Sequence, residues 1–115
     1  MKQIYENDFG MTFYWKRADE VVSNKVQLVF KEIGFHLTLG ELEQFSTFIL
    51  ESESRINSCS DCSFKKQCSR YLLQTPAQQI DLAVSISELK GIQDLVGGTV
   101  FKIKLREYVF GVGKN

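Results

Sequence analysis

Residues 35–49 read FHLTLGELEQFSTFI and residues 82–96 read LAVSISELKGIQDLV. Each stretch passes from alternating apolar residues to helical spacing at one point. Thr38 and Glu41 stand three apart in the first, and Ser85 and Glu88 in the second. In that arrangement the hydroxyl accepts from a free amide of the first helical turn, while the Glu carboxylate accepts from the amide of the cap residue. Leu37 with Leu42, and Val84 with Leu89, supply the apolar pair that fixes the entry angle of the chain. Two strands running directly into two capped helices are therefore expected.

Working outward from the first junction, Val26, Leu28 and Phe30, then Phe35, Leu37 and Leu39, recur at every second position on either side of Lys31 to Gly34. That pattern predicts a β-hairpin. Around the second junction Ile80, Leu82, Val84 and Ile86 alternate with polar or small residues, and Tyr71 to Gln74 precede them across a turn containing Pro76. A second hairpin is expected there. Met11, Phe13 and Trp15 alternate in the same way and add an N-terminal strand. Downstream of the caps, Leu42, Phe45 and Ile49, and Leu89, Ile92 and Val96, recur at helical spacing and define core stripes.

Laid over each other, Leu37 to Ile49 and Val84 to Val96 match in type at nearly every position, with Glu41/Glu88 and Leu42/Leu89 identical. The halves read as two ββα units, over about 25–52 and 70–97, joined by a cysteine-containing loop over 53–69. Duplication and convergence on one capping geometry both produce such a match. The expected fold class is α+β: an antiparallel sheet of about five to six strands with two helices on one face, whose stripes meet Leu28, Phe35, Leu37, Leu82 and Val84. At 115 residues with 43% hydrophobic content, one domain over 1–115 with one core is expected.

The C-terminal stretch reads two ways. Phe101, Ile103 and Leu105 alternate with Lys102, Lys104 and Arg106, whereas Phe101, Leu105, Tyr108 and Val112 fall on one helical face. The strand is preferred, because Gly97-Gly98 costs a helix about 1 kcal/mol per glycine, and Thr99 and Val100 favour β structure. On that reading the two glycines end the second helix.

Chemistry is concentrated in Cys59, Cys62 and Cys68. A C-x2-C turn brings two sulfurs within reach of one tetrahedral ion, and the third cysteine can fold over it. His36, the single histidine, supplies the fourth candidate ligand, and Lys65, Lys66 and Arg70 would favour thiolates. Zinc is the ion such a set would take; ordinary thiols in a polar loop are the plain alternative. Cysteines clustered within ten residues argue against a secreted disulfide scaffold. Gly111-Val112-Gly113-Lys114 lacks the earlier glycine and the Ser or Thr of a phosphate loop, and there is no nucleophile elbow or His-Glu-x-x-His.

Fourteen basic and fourteen acidic residues cancel, which disfavours nucleic acid as a partner even though Lys102, Lys104 and Arg106, with Phe13, Tyr14 and Trp15, would form a small basic and aromatic surface on adjacent strands. No apolar run approaches the ~20 residues of a membrane helix, and the N-terminus lacks the pattern of a signal peptide. The first hairpin, the Thr38/Glu41 box, the cysteine loop, Pro76 and the stretch from Ile80 to Glu88 together resemble small uncharacterised single-domain proteins of Bacteroidetes-type bacteria. The resemblance implies a cytoplasmic location and nothing catalytic. The sequence does not assign a function. The expectation is a small cytoplasmic, non-enzymatic interaction or regulatory module with a protein partner or a second copy, no membrane, and no resident cofactor. The alternative is a metal-binding or redox-responsive regulator using Cys59, Cys62 and Cys68.

Overall fold

The computed structural model describes residues 2–18, 20–58 and 71–112. Along the chain they form β1 (Lys2–Asn7), β2 (Gly10–Arg17), β3 (Glu20–Phe30), β4 (Ile33–Leu37), α1 (Leu39–Ser58), β5 (Tyr71–Gln74), β6 (Asp81–Val84) and α2 (Ile86–Val112). The fold is α+β, with six antiparallel strands and two helices. The strands divide into a four-stranded sheet in the order β1-β2-β3-β4 and a separate β5-β6 ribbon.

Turn chemistry sets the first hairpins. At the β1–β2 turn the Asn7 side-chain oxygen accepts from the amides of Phe9 and Gly10, at 2.9 and 3.1 Å, closing the tight loop that sequence alternation alone did not reveal. β3 and β4 meet with Phe30 opposite Ile33, leaving Lys31 and Glu32 as the turn. Lys31 takes φ 55°, a left-handed conformation that matches the twist of a two-residue hairpin loop. In the β5–β6 turn the buried Thr75 hydroxyl donates to the carbonyls of Ala77 and Ile80, at 2.9 and 2.6 Å.

Both capping boxes form. The Thr38 amide donates to Glu41 Oε1 at 2.9 Å and the Glu41 amide to Thr38 Oγ1 at 3.2 Å; the equivalent distances at Ser85 and Glu88 are 2.8 and 3.2 Å. The hydrogen bond from the Thr38 amide holds the Glu41 carboxyl below its ordinary pKa.

Register shows why both helices lie on one side of the four-stranded sheet. Tyr5, Thr12, Leu28 and Phe35 are consecutive partners across β1 to β4 and so form one row on one face. The Tyr5 hydroxyl donates to Asp94 at 2.9 Å and Thr12 meets Thr99, both on α2, while the Phe35 ring meets Phe45 of α1 edge-on at 5.9 Å. The predicted stripes of both helices, with Leu28, Phe35, Leu37, Leu82 and Val84, belong to one buried cluster, which Leu73, Leu95 and Ile103 extend. The β5-β6 ribbon adds Leu73, Leu82 and Val84 to it, with β5 leaning on α1 and β6 on α2.

The expected C-terminal strand is instead the second half of α2, which continues through Gly97 and Gly98 to Val112. Tertiary packing overrides the local cost of glycine. A Cβ on Gly98 would lie 2.7 Å from Cζ of Tyr5, and a Cβ on Gly91 would run into the Phe9 ring, so the helix uses missing side chains to sit close against the β1–β2 hairpin. Asn7 adds a hydrogen bond from its side-chain amide to the Gly91 carbonyl at 2.8 Å. Thr99, which favours a strand in isolation, is fully buried and donates to the Leu95 carbonyl at 2.6 Å within the helix.

Candidate interaction surface

The continuation of α2 changes what the C-terminal stretch presents. Among the residues whose side chains are described, Ile103 is the last buried one of α2, and every residue from Lys104 to Val109 is exposed, so this stretch of the helix runs past the core. Phe101, Leu105, Tyr108 and Val109 are 65, 49, 72 and 56% exposed and fall within an arc of about 100° on the side opposite Ile103. Scattered single exposed apolar residues are ordinary on a protein surface; four on one face of one helix are a patch.

The charges beside the patch are engaged within the chain. Lys102 lies 5.3 Å over the Tyr5 ring, and Lys104 pairs with Glu43 of α1 at 3.6 Å. The Tyr14 phenol is held above its ordinary pKa chiefly by burial, with Arg106 opposing and Glu107 adding to the shift. Lys102, Lys104 and Arg106 thus sit on a helix, where a spacing of two residues turns successive side chains by about 200°. The basic sheet stripe expected from their alternation does not exist. The aromatic run splits as well: Phe13 and Trp15 contact edge-on at 4.9 Å on one face of β2, with the Trp15 indole donating to Gln27 at 3.2 Å, while Tyr14 packs against the core on the other.

The zinc site that Cys59, Cys62, Cys68 and His36 offered as the alternative reading is overturned. His36 is paired with Gln27, and Gln27 with Phe13, in a row on the face of the sheet away from both helices, and its side chain is exposed. It therefore points away from α1, the helix whose end at Ser58 leads into the cysteine stretch. Among the described residues no group of three or more His, Cys, Asp or Glu is placed to hold a metal ion. Cys59, Cys62 and Cys68 lie outside the described residues.

No protein family, curated protein or solved structure matches this chain. The site therefore rests on its own geometry. Among the described residues no helix is long and apolar enough to cross a membrane. The signal for the patch was present in the sequence as the helical spacing of Phe101, Leu105 and Tyr108; the Gly97-Gly98 pair outweighed it.

Proposed function

We propose that this protein is a non-enzymatic interaction module that self-associates, with the outer face of α2 pairing against the same face of a second copy. The observation that carries the reading is the coaxial exposure of Phe101, Leu105, Tyr108 and Val109 on a helix that extends beyond its own core. A straight apolar stripe is self-complementary under a twofold axis, since each residue meets the same chemistry on the antiparallel copy. Lys102 and Lys104 are held by Tyr5 and Glu43 of their own chain, and the net charge is zero, so neither local nor overall repulsion opposes the pairing. Helix ends without packing partners are marginal in water, and burial in a dimer supplies the missing tertiary contact.

Sedimentation velocity in reducing buffer tests this. The wild-type chain is expected to dimerise below about 100 µM, and Phe101→Glu and Leu105→Glu are each expected to run as monomers with unchanged circular dichroism. A monomeric wild-type chain at that concentration, or dimers that both substitutions leave intact, would overturn the reading.

A further inference from the structure

A second surface lies at the N-terminal end of α2. An open groove of about 1010 Å³ runs between the β1–β2 turn, the β3–β4 turn and β6. All four residues of β6, from Asp81 to Val84, line it, the inward Leu82 and Val84 together with the outward Asp81 and Ala83. A strand that contributes both faces to one groove presents its edge there. Among the described residues β6 hydrogen-bonds only to β5, so this edge offers unpaired backbone donors and acceptors.

The walls define the chemistry of what would pair with it. Phe9, Met11, Phe30 and Ile33 give apolar contact, while the exposed Glu6, Asp8, Glu32 and Asp81 give the groove an acidic rim. Lys31 also lines it, but its ammonium is taken by Glu88 at the start of α2. We infer that the β6 edge binds an extended, basic peptide segment as an added antiparallel or parallel strand, its backbone pairing with β6 and its cationic side chains meeting the four carboxylates. Backbone pairing supplies affinity and the alternate side chains supply selectivity, as in other strand-addition sites. A second copy of this chain is the poorer occupant of this edge, because twofold pairing of β6 would bring two acidic rims together.

Fluorescence anisotropy on the full chain, with a labelled heptapeptide alternating lysine and valine, tests the inference. Saturable binding is expected, weakened roughly tenfold by Glu32→Lys combined with Asp81→Lys, and weakened as salt rises. The same peptide N-methylated at every backbone amide keeps its charge and has no N–H to give a ladder on either edge, and it is expected not to bind. That arm uses the unaltered protein, so it does not depend on the variant folding. Equal binding of the N-methylated peptide, or of a glutamate-valine counterpart, would sink strand addition. So would a dimer that persists in Leu105→Glu and dissociates in Asp81→Lys, since β6 would then pair with itself; that result is distinct from failure of the α2 interface, which is read on the wild-type oligomer without peptide.

Discussion

The hydroxyls of Thr12 on β2 and Thr99 on α2 lie 2.7 Å apart with both side chains fully buried. Thr99 donates its proton to the Leu95 carbonyl at 2.6 Å, so Thr12 is the donor between the two hydroxyls, and a directed chain runs from sheet to helix. Thr99→Val leaves the Thr12 proton with only a 3.5 Å approach to the Tyr5 carbonyl and is expected to cost about 1–3 kcal/mol. Thr12→Val removes a donor and leaves Thr99 still bonded, so it should cost less. The double substitution should cost less than the sum of the singles, read from urea denaturation in a double-mutant cycle.

Glycines in α2 should respond in opposite directions. Gly97→Ala meets nothing within 4 Å and is expected to stabilise by about 0.5–1 kcal/mol through helix propensity. Gly98→Ala and Gly91→Ala place a methyl against Tyr5 and Phe9 and are expected to destabilise by about 1–3 kcal/mol despite the same propensity gain. Thermal melts at one protein concentration decide it; stabilisation by all three would mean that the hairpin does not pack against α2 as described.

The two faces of α2 should separate stability from association. Ile103→Ala removes a buried side chain and is expected to cost about 2–4 kcal/mol. Phe101→Ala, on the exposed side, should change unfolding of the dissociated chain by no more than about 0.5 kcal/mol while weakening the dimer. A C-terminal strand would give a different pattern, because Phe101 and Ile103 would then share a face.

Glu41 gives a pH dependence with a definite sign. Its folded-state pKa is lowered, first by the Thr38 amide, so its contribution is present above the unfolded carboxyl pKa of about 4.3 and is lost as pH falls through the lower folded value. Wild-type urea midpoints should therefore fall more steeply than those of Glu41→Gln between about pH 5 and pH 3. Parallel curves would show that the capping carboxylate is not engaged.

The junctions at Thr38 and Ser85, the β3–β4 and β5–β6 hairpins and the residues of the core were legible in the sequence, because each depends on contacts within about five residues or on simple alternation. β1 was not: Lys2, Gln3 and Glu6 interrupt its alternation, and an irregularity between Gln3 and Tyr5 shifts its register. The sidedness of His36 was half legible. Its alternation with Phe35 and Leu37 placed it off the core, but only the position of α1 on that core face shows that it points away from the end of that helix.

The sequence by itself determined where strands hand over to helices, since a capping box is completed by four consecutive residues and needs no distant partner. Only the tertiary structure decided the fate of residues 97–112. Glycine is unfavourable in a helix taken alone, and what reverses that preference is the ring of Tyr5, more than ninety positions away in the chain, filling the space a side chain at Gly98 would need. The same reversal turned an expected basic strand into the exposed apolar face of α2.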